Sequence, residues 1–429
     1  MRLKSKRLVS LLLAGSMMVS MVPASAVTAF AAEAKNGVVA LAGAKQDVPA
    51  DGVCSVEVTE ASDENKSGVQ KALEAKYNIS NTGDKGFDDI KTLTVTTADG
   101  IVLDEDDFQF MSGIVTKNQG RNDVKVAPEG LTYLTNLEEM DLSEARCEND
   151  EIPAKAFFKN KKITKIILPQ SIKRIGHHAF SAMYNETTGT GLSYLSTDKN
   201  VNLRFDGVEI LGESMASRDR NLKDPLELPA SLIAIGDACF ANSGVSGAIT
   251  IRINIDKNID CNGEGTAELS QAQFAGTDDS NNGTNIDSLS FQDDATRIPG
   301  YIAKNCKSLK KIIISDTVSE IGEQAFFGTG LSEVVIPEKV DTIAKRAFMD
   351  SNMLDTVIVD NPNVSIDWLA FYGLKSGAKI YLASPMNNVN DNDNEQYHKR
   401  WNADTTTILN TDEGTIAHDN NGDVTAELD

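Results

Sequence analysis

The chain has 429 residues, with 63 acidic against 41 basic side chains and a formal net charge of −22 at pH 7. A surface of this sign repels phosphate backbones and anionic lipid headgroups, so the composition argues against nucleic acid as a partner. Five cysteines in a chain of this length are too few for the disulfide scaffold that holds small secreted domains together.

Residues 1–31 have the pattern of a secretory signal peptide. Basic residues lie within 2–7, an apolar stretch runs from Leu8 to Val22, and the small-x-small sequence at 29–31 is typical of a cleavage site. A membrane anchor is the alternative, but serines and a glycine interrupt the apolar stretch, which is shorter than the ~20 residues of a spanning helix. Cleavage would remove four positive charges and take the net charge from −22 to −26. We predict a secreted protein, released or loosely associated with the cell surface, without membrane insertion after signal removal.

The segment 32–86 is predicted to cover the N-terminal end of the fold. Its stretch VCSVEV alternates like a strand, and SGVQKALEAKY, residues 67–77, spaces apolar residues as a helix does. Ser67 followed by Gln70 is a capping-box sequence. The pattern predicts a short amphipathic helix that closes the first unit at IKTLTV.

Between residues 87 and 385 a short apolar sequence recurs. IGHHAF ends at Phe180, and IGEQAF, IAKRAF and IDWLAF end at Phe326, Phe348 and Phe371. We call the last residue of each such sequence its anchor, and an apolar strand residue lies twelve positions before each of these anchors. The last four anchors, from Ala303 to Phe371, are spaced 23, 22 and 23 residues apart. Such periodicity predicts a solenoid of about ten units in which each coil covers the apolar side chains of its neighbour. The anchors are Phe108, Phe157, Phe180, Met215, Phe240, Phe274, Ala303, Phe326, Phe348 and Phe371.

The unit LSEVVIPEKVDTIAKRAF shows how one coil is predicted to fold. Alternate apolar residues point inward from a short strand, and Pro337 ends the strand because it has no N–H to donate. Val340, Ile343 and Phe348 then return the chain along the interior. Each large side chain that the next coil buries contributes about 1.5–3 kcal/mol.

These units resemble the BspA-type leucine-rich repeat, whose pattern is L-x-x-I-x-[LI]-P-x-x-[LI]-x-x-I-G-x-x-A-F. The resemblance implies an α/β-type repeat solenoid, a leucine-rich-repeat superhelix with a parallel β-sheet on its concave face and short turns or helices on the convex side. It also implies a secreted or cell-surface bacterial protein, and some members of the family adhere to host matrix proteins.

His177 and His178 occupy the two variable positions of IGxxAF. Other units place acidic, basic, amide and apolar residues there, which predicts a solvated turn rather than a metal or acid–base site. The chain has no G-x-S-x-G, H-E-x-x-H or glycine-rich phosphate loop. We predict no catalytic residue and no cofactor. Two alternatives stay open: a secreted carbohydrate-active hydrolase with two acids in a deep cleft, and a cell-wall-associated structural protein without a discrete ligand.

No metal site is predicted either. The stretch 278–289 begins like a calcium loop, but its twelfth position, where a bidentate Glu is expected, is Leu289. The cysteines form no C-x-x-C pair, which leaves zinc unsupported and a disulfide unassigned. They are Cys54, Cys147, Cys239, Cys261 and Cys306.

Residues 386–429 are predicted to be a polar C-terminal cap or tail. Before them, Ile380 and Leu382 complete one more strand. Tyr397, Trp401 and the pair 408–409 are candidates for a small cover, and the final HDNNGDVTAELD is predicted to be loose.

The candidate binding site is a row of outward strand positions on the concave face. Its members are Ile313, Val335, Ile358 and Tyr381, and two residues earlier in each strand stand Lys311, Glu333, Thr356 and Lys379. At ~4.8 Å per strand the row is about 15 Å long. An exposed apolar stripe flanked by charge favours an adhesin-like site for an extracellular protein or glycoprotein, in host matrix or mucin. The alternative is that Ile and Val merely suit strands and pack along the ladder.

Overall fold

The computed structural model describes residues 45–79, 86–115, 125–126, 133–255, 271–276, 284–292, 294–367 and 369–383, and the backbone of three later strands. The chain divides into two units, Met1–Lys45 and Gln46–Asp429, and nearly all described residues belong to the second. The predicted signal peptide lies outside the described residues. Among the helices of the described part, none is long and apolar enough to cross a membrane.

Short strands dominate the second unit. In chain order they are Val53–Val58 (β1), Thr92–Thr97 (β2), Ile114–Val115 (β3), Lys125–Val126 (β4), Glu139–Asp141 (β5), Glu151–Ile152 (β6), Lys165–Ile167 (β7), Arg174–Ile175 (β8), Tyr194–Ser196 (β9), Ile210–Leu211 (β10), Ala234–Ile235 (β11), Ser246–Ile251 (β12), Asn285–Phe291 (β13), Arg297–Ile298 (β14), Lys311–Ile314 (β15), Glu320–Ile321 (β16), Glu333–Ile336 (β17), Thr342–Ile343 (β18), Thr356–Val359 (β19), Ser365–Ile366 (β20), Lys379–Leu382 (β21), Thr407–Leu409 (β22), Gly414–His418 (β23) and Val424–Leu428 (β24). The described α-helices are Gly68–Lys76 (α1) and Glu105–Ser112 (α2), and single 3-10 turns lie at Phe87–Asp89 and Glu148–Asp150.

Two sets of parallel strands run through the coils. The longer strands form sheets of order β1-β2-β5-β7-β9, β12-β13-β15 and β17-β19-β21-β22. The two-residue strands form sheets of order β11-β10-β8-β6 and β14-β16-β18-β20. Many coils give one strand to each set, as the coil of β17 and β18 does, and this confirms the predicted repeat solenoid with a parallel sheet.

The anchors of the repeat form the core. All ten are buried, and several phenylalanines stack from coil to coil. Phe326 and Phe371 lie on either side of Phe348, with ring centroids 5.3 and 5.4 Å away and interplanar angles of 22° and 12°. Phe240 stacks on Phe274 at 5.9 Å. The apolar periodicity of the sequence thus corresponds to one continuous column of buried side chains.

The IGxxAF turns join neighbouring coils through backbone hydrogen bonds. The second variable residue has a left-handed φ, near 54° at His178, 53° at Gln324 and 58° at Arg346. In this conformation its N–H reaches the next coil: His178 N donates to Glu213 O at 2.8 Å, and Gln324 N donates to Lys345 O at 3.0 Å. These bonds offset the cost of the left-handed backbone.

The turns are less solvated than the sequence predicts. His177 and His178 are half-buried, and Gln324 is buried. The reason is that turns of successive coils stack on one another, so a turn that would be exposed in an isolated unit is covered on two sides.

At the N-terminal end, α1 begins after the predicted Ser67 cap, whose Oγ accepts a hydrogen bond from Gln70 N at 3.1 Å. Val69 and Leu73 on its inner face are buried. The first strand is β1, which pairs with β2. The first coil is therefore β1 with α1, one coil earlier than the predicted start at IKTLTV.

A buried carboxylate joins the first two helices. Asp107, fully buried in α2, accepts hydrogen bonds from Val69 N at 2.7 Å and from Asp104 N at 3.2 Å. Burial raises the pKa of Asp107 to about 6 from an ordinary 3.8, although these hydrogen bonds act in the opposite direction. The charge of Asp104 raises this pKa further.

The sign of the resulting pH dependence follows from this raised pKa. Below about pH 4 the protonated Asp107 contributes its full stabilisation, which is lost as the pH rises to about 6, because the folded chain holds the proton more tightly. Asp107→Asn does not titrate, so over this window the parent should lose up to about 3 kcal/mol relative to the variant. Urea unfolding of both chains across the window measures the difference. A difference independent of pH would contradict the prediction.

The structure describes part of the calcium-like stretch and four of the five cysteines. β13 contains the second half of the calcium-like stretch, and Leu289 is buried within it, whereas residues 278–283 lie outside the described part. The four described cysteines are buried thiols and not disulfides, and Cys261 lies outside the description.

Candidate binding surface on the strand ladder

The ladder face is the side of the long-strand sheets that points away from the core. Register places the predicted residues along it: Val335 pairs with Ile358, and Ile358 pairs with Tyr381. In the preceding sheet of long strands, Ile313 pairs with Ser290. We call Ile313, Val335, Ile358 and Tyr381 the apolar row.

The row is interrupted between Ile313 and Val335. β15 ends one sheet and β17 begins the next. After β15, β19 and β21 the next residue donates its N–H to the preceding strand, as Asp360 N does to Ile336 O at 3.0 Å. After β17 the corresponding residue is Pro337, which has no N–H. The predicted continuous stripe of four is thus three paired strands and one separate neighbour.

Exposure differs strongly along the row. Ile313 is 42 % exposed, and Val335 and Tyr381 are half-buried, but Ile358 is only 3 % exposed. The predicted exposed stripe is therefore wrong at Ile358, which lies between Val335 and Tyr381 in register.

Charged and polar groups flank the row. Lys311, Glu333 and Lys379 are exposed, and Thr356 is half-buried between Glu333 and Lys379 in register. Beside it, Lys375 Nζ lies 2.8 Å from an oxygen of Asp355 and lowers the pKa of that carboxyl. The surroundings of the row therefore carry both signs of charge.

A second feature of the ladder face is a groove of about 710 Å³ between β9 and β12. Here the ladder is reduced to isolated bridges, Arg204 with Glu227 and Pro225 with Ser246. The groove is lined by Tyr194, Asn200, Val201, Asn202, Asp224, Pro225, Leu226, Glu227, Leu228, Ala248, Thr250 and Arg252.

Hydrogen bonds hold the loop that walls this groove. Asn202 donates from Nδ2 to Asp224 Oδ2 at 2.6 Å and to Ser193 O at 2.7 Å. The Tyr194 hydroxyl donates to Asp198 O at 2.8 Å, and burial, with the nearby Asp198 and Asp224, raises the pKa of Tyr194.

The groove was not predicted from the sequence. A signal was present, since 35 positions separate Phe180 from Met215 whereas 22 or 23 separate the last four anchors. Asn200, Val201 and Asn202, which belong to this longer stretch, line the groove.

The two histidines lie close to each other, and His178 lies close to a phenylalanine ring. The ring centroids of His177 and His178 are 6.0 Å apart, and His178 lies 5.4 Å from the ring of Phe158. In the part of the chain that the structure describes, no group of three or more His, Cys, Asp or Glu residues could hold a metal ion.

Comparison with known families identifies the repeat. A model of the BspA type leucine rich repeat region matches six copies, over residues 71–187, 150–257 and 278–397. The chain belongs to the BspA-type leucine-rich repeat family. This confirms the resemblance drawn from the sequence, and the matches include every strand of the apolar row. No protein of curated function matches the chain.

Three solved structures are similar to this BspA-type chain. A leucine-rich repeat protein from Bacteroides ovatus is 18% identical over 70% of this chain and 90% of its own, with a TM-score of 0.28. A leucine rich cell surface protein from Faecalibacterium prausnitzii is 15% identical over 83% and 95%, with a TM-score of 0.29. The pneumococcal vaccine antigen PcpA is 13% identical over 82% and 84%, with a TM-score of 0.31. The family assignment rests on the repeat pattern and not on these low scores.

Proposed function

We propose that this chain is a secreted or cell-surface, non-enzymatic BspA-type protein that binds an extracellular protein or glycoprotein through its ladder face. The contact residues are Ile313, Val335 and Tyr381 of the apolar row, with Lys311, Glu333 and Thr356 beside them. The observation that carries the proposal is Ile313, a large apolar side chain that is 42 % exposed on a sheet face among charged neighbours.

Physical chemistry supports a partner at this position. Apolar side chains that stay in water on a regular sheet gain free energy when a partner covers them, at about 25 cal/mol per Å². The charges on both sides can be paired at the rim of such an interface, where they contribute to specificity. The rigid ladder holds both sets in fixed register, which lowers the cost of ordering on binding.

Val335→Asp tests the proposal. Val335 points outward and is half-buried, so the variant should fold and should bind immobilised mucin or matrix proteins at least about tenfold more weakly, as expected for a central contact. Circular dichroism and surface plasmon resonance measure the two effects.

Thr94→Asp is the matched control, because Thr94 is a half-buried outward residue of β2, far along the ladder, and receives the same charge. It should leave binding unchanged. An unfolded Val335→Asp chain would show that the row is structural. Unchanged affinity in a folded one would remove the row as the site.

A further inference from the structure

The strand ladder opens between β12 and the coil before it. At the start of β12 the two are joined, because Ser246 N donates to Asp224 O at 3.2 Å and Leu226 N donates to Ser246 O at 3.1 Å. A regular parallel ladder would continue with Ala248 N donating to Leu226 O and Leu228 N donating to Ala248 O. Between the described residues of the two coils neither bond is made, so the two backbones separate after Ser246.

The separation leaves the edge of β12 beyond Ser246 without a backbone partner among the described residues. Successive residues of a strand direct their N–H and C=O alternately to its two sides. Ile251 faces β13, since its O accepts a hydrogen bond from Gln292 N at 2.9 Å. By alternation, the N–H and C=O of Ala248 and Thr250 face the opening. An open strand edge of this kind offers its hydrogen bonds to another extended backbone.

Two adjoining cavities occupy the opening. The groove of about 710 Å³ lies along β12, and a second cavity of about 340 Å³ shares Leu228, Thr250 and Arg252 with it. Together they follow the chain from Ala248 to Ile253, a length of about 20 Å at strand spacing. The space therefore has the length of a short extended peptide.

The lining of the two cavities defines the chemistry of that peptide. In the groove, Asp224 and Glu227 present exposed carboxylates. The second cavity is lined mainly by apolar residues, and its Ile233 is 45 % exposed. Complementarity therefore favours a basic side chain in the groove and an apolar side chain in the second cavity.

We propose that this opening is a peptide-binding site, in which a basic extended segment of another protein adds a strand to β12. Main-chain groups of the segment pair with Ala248 and Thr250. A Lys or Arg side chain of the segment lies near Asp224 and Glu227, and an apolar side chain lies against Ile233. These residues are not those of the apolar row, so the site does not rest on the proposed function.

The test measures binding of short peptides to the full chain by fluorescence anisotropy. The probes are the fluorescein-labelled peptide Arg-Thr-Ala-Thr-Ala-Thr-Val and its reversed sequence, because a strand edge accepts either direction. The better binder is then made with N-methyl groups on its threonines alone or on its alanines and valine alone, which blocks one edge at a time. At least one methylated peptide should bind at least about tenfold more weakly, since main-chain hydrogen bonds carry this mode of binding. No binding of either probe at millimolar concentration, or no loss with either methylated peptide, would overturn the proposal.

Two variants locate the peptide on the chain. Glu227→Lys should weaken binding at least about tenfold, whereas Glu57→Lys, which reverses an exposed outward glutamate of β1, should leave it unchanged. Thr250→Pro removes an N–H that faces the opening and not β13, so the chain should fold, as circular dichroism checks, and lose the peptide. Equal binding by the Glu227→Lys and Glu57→Lys chains would remove the opening as the site, even if Thr250→Pro folds poorly.

Val335→Asp separates this proposal from the proposed function. It should leave peptide binding unchanged while it weakens binding to mucin or matrix proteins, so either site can fail without the other. Loss of the peptide in a folded Val335→Asp chain would place the peptide on the apolar row and overturn the site at β12.

Discussion

Replacing Phe348 with alanine is expected to lower the free energy of unfolding by about 3–5 kcal/mol. Its ring is fully buried and stacks between Phe326 and Phe371. The variant loses the transfer free energy of the ring, leaves a cavity, and removes two stacked contacts of about 0.5–1.5 kcal/mol each. Since each coil contacts only its neighbours, the cavity also weakens the coupling between the two halves of the array.

Urea unfolding with hydrogen exchange measures both effects. Exchange should become faster first in β17 and β19, beside the cavity, while β1 and β2 stay protected. Tyr372→Ala is the matched control, because Tyr372 is an aromatic residue that is 41 % exposed, and it should cost less than about 0.5 kcal/mol. Similar losses for the two variants would contradict the phenylalanine column as a source of stability.

The sequence predicts the interior well, because burial imposes a period. Phe326, Phe348 and Phe371 must meet the same environment once per coil, so residue type repeats with the coil length. The register of the outward positions follows from the same period, since inward and outward residues alternate along each strand.

From the sequence we used Pro337 only to predict where its own strand ends. Its missing N–H ends β17, as predicted from the sequence, and it also leaves one bond to the preceding coil unmade where the sheet breaks between β15 and β17. The consequence for the sheet depends on which residue of the neighbouring coil lies opposite, and that is a property of the stack.

The groove beside Tyr194 and the last strand could not be predicted from a single unit. Both belong to segments without the repeat: the loop before Leu203 lines the groove, and the final stretch predicted to be loose contains β24. Where such a segment packs is decided by long-range contacts, and no periodicity records these.

The glycine of IGxxAF depends on stacking in the same way. A Cβ built on Gly236 would lie 2.4 Å from Glu213 N and 2.7 Å from the carbonyl carbon of Gly212. A Cβ built on Gly212 would in turn lie 2.6 Å from His177 N and 2.7 Å from the carbonyl carbon of Gly176 in the preceding coil. The backbones of these three coils thus lie too close for a side chain at Gly212 or Gly236, although other units hold Ala344 or Asp367 at the same position of the repeat.

Gly236→Ala is therefore expected to lower the free energy of unfolding by about 2–3 kcal/mol, because the atoms it meets are backbone and cannot move aside without separating two coils. Gly300→Ala, at the first variable position of another unit, is the control: the nearest neighbour of its added Cβ, Glu323 O, is 3.1 Å away, so the cost should stay below about 1 kcal/mol. Urea unfolding of the two variants gives the comparison. Equal stability of both would mean that the coils have slack along this column, whereas a loss confined to Gly236→Ala would show that contact between backbones sets the spacing of the coils.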